Sequence, residues 1–191
     1  MTPPDSGLTK PAQIVLLGFM GAGKSTVGPL LADILGWQFF DADQVLERRA
    51  GCTIAELFLH HGEAAFRRLE ESTVAELLEL NRTVIALGGG ALESASTRSL
   101  IASRPDLCTA FLDGPLETLL DRCNQSKTIR PLLQDRERIE SRYTKRLPYY
   151  RLAMITVSTE GLTPQMIARE ISVKLSEIKP ETTQHAKEGS Q

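Results

Sequence analysis

The chain has 191 residues and a mass of 21.0 kDa, a length that suits one compact domain. Hydrophobic residues make up 41% and charged residues 24%, ordinary globular proportions, and a net charge of −2 excludes general affinity for nucleic acid. No apolar run reaches the length of a membrane span, and Cys52, Cys108 and Cys123 have neither CxxC nor metal-ligand spacing, which reads as free thiols in a reducing compartment.

Residues 1–11 are too short and polar for a secretory signal and lack the arginines of a transit peptide. They predict a flexible start to a cytoplasmic protein. The apolar run 14–17 is the first buried strand, followed by a glycine-rich loop and a helix over 25–35. Pro29 inside that helix predicts a slight kink or a loosened turn. A second strand at 38–40 leads to a short helix at 44–50. Thr53 and Glu56 have the spacing of a capping box, so a helix begins after Thr53. In 63–80, Phe66, Leu69, Val74, Leu77, Leu78 and Leu80 form an apolar helical stripe. Strands follow at 83–87, 108–112 and 154–157, and a last helix at 164–178. The polar stretch 124–134 follows a helix rather than a strand and reads as a mobile surface loop. The polar residues 179–191 read as a disordered tail. Strands alternating with helices over 12–178 predict a single α/β domain, three layers α/β/α, with a central parallel sheet of about five strands.

The loop at 18–26, GFMGAGKST, fits G-x-x-x-x-G-K-[ST] between a strand and a helix. Gly21, Ala22 and Gly23 let the backbone wrap closely around phosphate oxygens. Thr26 lies on the helix whose positive end points at the same anions. Lys24 should reach the β- and γ-phosphates and Ser25 should ligate Mg²⁺. Asp41 and Asp43 follow a strand two residues apart. On extended backbone both side chains point the same way, so one can hold magnesium while the other meets a substrate hydroxyl, or Asp43 is simply a helix cap. Arg67 and Arg68 beside Glu70 and Glu71 read physically as a solvated helix face with ion pairs within the helix, and Arg146 in a run with Arg138, Arg142 and Lys145 reads as an ordinary charged face. Gly88, Gly89 and Gly90 after a strand allow close ligand approach or form a flexible loop with a helix cap near Ser94. Arg130, in the polar loop, can close over a phosphoryl group or lie in a surface turn.

Six segments in this order, GFMGAGKST at 18–26, FDAD at 40–43, GEAAFRRLE at 62–70, GGG at 88–90, RPL at 130–132 and KRLPYY at 145–150, resemble the shikimate kinase family over about 12–178. The resemblance implies a P-loop NTPase-like fold. It also implies transfer of the γ-phosphoryl of ATP to the 3-hydroxyl of shikimate, on the route to chorismate and aromatic amino acids, with Mg²⁺ as cofactor. The expected partners are shikimate and ATP, with no nucleic acid and no membrane, and the chain is expected to act as a monomer. Asp41 would join Ser25 at the metal, and Asp43 would meet the shikimate hydroxyls. Arg67, Arg146 and Gly88–Gly90 would hold the rest of the acceptor, within a region of about 42–72 and the triple glycine. Lys24, Asp43 and Arg130 would be catalytic, with Arg130 in a lid at 124–134. One departure stands out: an arginine pair common in the family is Arg122-Cys123 here, so either Arg122 packs against adenine or that contact is weaker. A gluconate-type kinase fits less well because of Arg67, Arg146 and the three glycines. A catalytically dead binding protein should have lost Lys24, Asp43 or Arg130, and all three are present.

Overall fold

The computed structural model describes residues 11–125 and 136–178. The sheet consists of β1 (Gln13–Leu17), β2 (Gln38–Asp41), β3 (Thr83–Ala86), β4 (Leu107–Asp113) and β5 (Ile155–Ser158), all parallel, in the order β2-β3-β1-β4-β5. The helices are α1 (Lys24–Leu35), α2 (Ala42–Ala50), α3 (Ile54–Leu78), α4 (Ala95–Ala102), α5 (Leu116–Gln125), α6 (Arg136–Tyr150) and α7 (Pro164–Glu177), with a 3₁₀ turn at Ala91–Glu93. The five strands and the three layers match the sequence expectation. Among the described residues no helix is long and apolar enough to cross a membrane. The expected tail at 179–191 and nearly all of the N-terminal segment lie outside the described residues. So does the expected lid beyond Gln125, Arg130 included.

β1 is the central strand, paired with β3 on one side and β4 on the other. Both its faces are covered by helices, which is why it is apolar without alternation. Gln13 is the polar exception. Its buried amide donates to the Leu77 carbonyl at 3.0 Å and to Thr83 Oγ1 at 3.1 Å, and also to the Leu80 carbonyl. It thereby ties the start of β1 to the end of α3. α1 packs with α7, and α3 packs with α4. The main core runs through the sheet and both helix layers. A smaller cluster of Leu46, Leu57 and Phe66 joins α2 to α3 outside it.

Pro29 lies inside α1, which runs to Leu35 as expected and closes on left-handed Gly36. The two helices expected after Thr53 and over 63–80 are both present within α3, separated by a kink at Gly62 (φ 75°, ψ 175°). Asp43 is not on extended backbone. β2 ends at Asp41, and Asp43 is already in the first turn of α2. The cap is Asp41, whose Oδ1 accepts the backbone N–H of Asp43 at 3.1 Å and of Gln44 at 3.3 Å. Ser94 does cap α4, by accepting the N–H of Thr97.

The capping box forms as its spacing requires: Thr53 Oγ1 accepts from the Glu56 N–H at 3.2 Å, and Glu56 Oε2 accepts from the Thr53 N–H at 2.8 Å. Thr53→Ala should therefore lower stability by about 1 kcal/mol. Urea unfolding of the two proteins checks this, with an unchanged midpoint counting against the box as a stabilising feature.

Candidate active site

In a parallel sheet every strand delivers its carboxyl end to the same edge, and ligand sites gather there. Here that edge receives the loop after β1, Asp41 from β2, the three glycines after β3 and the Thr159 segment after β5.

The loop after β1 wraps into α1 through left-handed Gly21 and Gly23 (φ 76° and 89°). A Cβ on Gly21 would overlap the Leu119 carbonyl and stand 3.0 Å from Cys123 Sγ, so α5 lies directly on the loop and only glycine fits. Lys24 bends back over the loop, its Nζ donating to the carbonyls of Gly18 at 2.7 Å and Phe19 at 3.2 Å. Beside it Ser25 Oγ donates to Asp41 Oδ2 at 2.5 Å, which places two oxygen donors side by side. Gly21, Ala22, Gly23, Lys24, Ser25 and Thr26 all line one cleft of about 680 Å³, together with Asp41, Asp43 and Arg122. Arg122 is tied at its far end. Its Nη1 donates to Thr159 Oγ1 at 3.0 Å and its Nη2 to the Thr159 carbonyl at 2.6 Å.

A second cleft, of about 540 Å³, adjoins the first and shares Met20, Asp43, Gly89 and Arg146 with it. Arg67 comes from α3 and Arg146 from α6, yet both guanidinium groups reach Gly90. A Cβ there would lie 3.0 Å from Arg146 Nη2 and 3.2 Å from Arg67 Nη1. Gly88 is equally crowded: a Cβ would be 2.5 Å from Asp43 Oδ1 and 3.3 Å from Glu70 Oε1. None of these three glycines has positive φ. Glycine is there for space, since it lets four charged side chains meet against the loop. Two arginines from different elements facing one point have the chemistry to receive a carboxylate or phosphate.

The ion pairs expected within the helix form, with Arg67 on both Glu70 and Glu63, but neither Arg67 nor Arg146 is a solvated side chain. Arg67 Nη1 bonds Glu70 Oε2 at 2.7 Å, and the Glu70 side chain is only 5% exposed. Burial raises the Glu70 carboxyl above its ordinary value, against the pull of Arg67 and with the charge of Asp43 adding to the rise. Arg146 is 14% exposed, and its Nε donates to Glu93 Oε1 at 2.7 Å. Burial pushes Glu93 upward, but its bonds from Lys145 and Arg146 outweigh that and hold the carboxyl below its usual range. Tyr150, buried and with its hydroxyl raised chiefly by desolvation, donates to the Gly89 carbonyl. The sequence reading names Glu70 only as a helix neighbour of Arg67 and assigns no site role to Glu70, Glu93 or Tyr150. Only the GEAAFRRLE and KRLPYY segments hinted at Glu70 and Tyr150, and nothing pointed to Glu93.

The family model described as shikimate kinase matches residues 20–176. Shikimate kinase from Chlorobium chlorochromatii is 41% identical over 177 residues, covering 85% of this chain and 92% of its own. The structure of shikimate kinase from Acinetobacter baumannii in complex with shikimate superposes with a TM-score of 0.79 at 36% identity, covering 87% of this chain and 94% of that one. A gluconokinase from Sinorhizobium meliloti, at 21% identity and a TM-score of 0.56, shares the fold.

Glu70 needs Arg67. A carboxyl whose folded value is raised contributes stability below its unfolded value, near 4.3, and loses it as pH rises through the folded value. Arg67→Ala removes the compensating charge, so its deficit should grow from about pH 4 to neutrality and reach up to about 3 kcal/mol. Adding Glu70→Gln should recover most of it. Urea unfolding of the three variants at both pH values checks this, and a deficit independent of pH would show that Glu70 is not the strained group.

Proposed function

The chain belongs to the shikimate kinase family, and from that premise we propose that it transfers the γ-phosphoryl of ATP to the 3-hydroxyl of shikimate, giving shikimate 3-phosphate and ADP. The observation that carries this is the meeting of Arg67 and Arg146 at Gly90, in a cleft that shares Asp43 with the P-loop cleft. A carboxylated acceptor held by the arginines has its hydroxyls toward Asp43, and Asp43 faces the phosphate loop. The acceptor is also the ligand named for the Acinetobacter structure.

In this reading the nucleotide phosphates lie on the loop 21–26. The backbone N–H groups and the α1 terminus hold them by charge and geometry. Lys24 exchanges the Gly18 and Phe19 carbonyls for phosphate oxygens and neutralises charge on the group in transfer. Asp43 orients the acceptor hydroxyl and takes its proton. Arg130, expected from the family resemblance to be catalytic, lies outside the described residues. Arg122, held by Thr159, lines the nucleotide cleft as a fixed wall. The paired oxygens of Ser25 and Asp41 suit Mg²⁺, a hard cation bound through one or two protein oxygens plus phosphates. When bound, the ion would neutralise phosphate charge. Catalysis rests on positioning and charge stabilisation.

Coupled measurement of ADP release with shikimate, quinate and gluconate tests the assignment. Shikimate should be the preferred acceptor, and near-zero turnover with it beside good turnover on another would overturn the reading. Lys24→Ala should reduce kcat about 100-fold or more in a protein that still folds by circular dichroism. A near-normal kcat would remove Lys24 from the chemistry. Arg67→Ala and Arg146→Ala should each weaken shikimate use by roughly 10- to 150-fold, the value of a charge-assisted hydrogen bond of about 1.5–3 kcal/mol, while the KM for ATP moves little. An unchanged KM for shikimate in both would place the carboxylate elsewhere.

A further inference from the structure

We infer that Glu93 is a positioning residue for the acceptor site: it fixes the Arg146 guanidinium so that the Nη1 and Nη2 edge is presented to the acceptor's anionic group. The inference rests on the carboxylated-acceptor reading above and deepens it by one residue. A guanidinium offers two useful edges, and a side chain as long as arginine has many rotamers to lose. Glu93 Oε1 takes the Nε–H of Arg146 at 2.7 Å. That leaves Nη1 and Nη2 facing the triple glycine, 3.6 Å from a Cβ position on Gly89 and 3.0 Å from one on Gly90. The other Glu93 oxygen, Oε2, takes Lys145 Nζ at 2.6 Å, so the carboxylate is held from both sides.

Glu93 is itself firmly placed. It ends the 3₁₀ turn Ala91–Glu93, and its N–H donates to the Gly90 carbonyl at 2.9 Å. Arg98 on α4 braces the turn, with Nη1 donating to the carbonyls of Leu92 at 2.6 Å and Glu93 at 3.0 Å. The Arg98 guanidinium lies over the Tyr149 ring, 4.6 Å from its centroid, which docks the brace on α6, the helix that carries Arg146. The turn after the three glycines thus sets both the floor of the acceptor cleft and the aim of one of its arginines.

A counter-ion could also act in the opposite sense, by competing with the acceptor's carboxylate for Arg146. Two substitutions separate the possibilities. Glu93→Gln keeps an oxygen for the Arg146 Nε–H and drops the charge, whereas Glu93→Ala removes the oxygen as well. With positioning, Glu93→Ala should raise the KM for shikimate about tenfold, the value of one hydrogen bond of about 1.4 kcal/mol. The KM for ATP should stay within about twofold, and Glu93→Gln should restore most of the loss. Glu93→Ala should also discriminate less than wild type between shikimate and its neutral carboxamide. A lowered KM for shikimate in both variants would overturn positioning in favour of competition. An unchanged KM in both, with only a lower melting temperature, would overturn it in favour of a structural ion pair. The wild-type reaction separates this inference from the reading beneath it. A wild type that turns over shikimate while Glu93→Ala matches its KM sinks the inference alone, and a wild type inactive on shikimate sinks both.

Discussion

Everything at the carboxyl edge depends on the register of one strand. β1 is hydrogen-bonded in parallel to β3 and β4, with Leu16 opposite Ala86 and Ala110. The ladder continues past β3, because the Leu87 N–H donates to the Leu16 carbonyl at 3.2 Å. The phosphate loop and the triple glycine therefore leave neighbouring strands at the same level. A Cβ on Gly89 would lie only 3.7 Å from the Gly18 carbonyl. Two clefts with a common wall follow from this, and so does the proximity that phosphoryl transfer between bound partners requires. A slip of one residue between β1 and β3 would carry the triple glycine off the level of the phosphate loop and lose that common wall.

The second constraint is charge in a partly dry site. Cations that recognise an anion must be kept from water to be selective, and stripping them of water is costly unless a partner is near. Both arginines of the acceptor cleft are built this way, Arg67 on Glu70 and Arg146 on Glu93. The two carboxyls respond in opposite directions. Glu70 is deeply buried with one close arginine and is raised, whereas Glu93 is less buried with two cations on it and is lowered. Burial thus outweighs pairing at the Glu70 carboxyl, whereas pairing outweighs burial at Glu93.

Which of these features can be read in the sequence depends on whether they are contiguous. The loop 18–26 is a single stretch whose residue types are dictated by phosphate geometry, and it was legible complete, as were the five strands. The capping box at Thr53 was legible for the same reason. Asp41 and Asp43 were legible as a pair but not in conformation, because the helix starts one residue after β2 and converts an expected strand spacing into a cap and a first-turn residue. The pairing of Arg67 with Glu70 is local and was legible as an ion pair within one helix. The seclusion of the arginines from solvent was not, because it is set by Gly90 and, for Arg146, by a carboxylate 53 residues away. Arg122 was legible as a residue of interest near the loop, but the bonds to Thr159 that hold it lie 37 residues away.

The contact of α5 with the phosphate loop has an evolutionary consequence. Gly21 has no room to grow, being pressed against the Leu119 carbonyl and Cys123 Sγ. While α5 keeps this place, position 21 tolerates nothing but glycine, both for want of room and because its φ of 76° lies in the left-handed region. Mutation cannot explore that turn of the loop without first moving a helix.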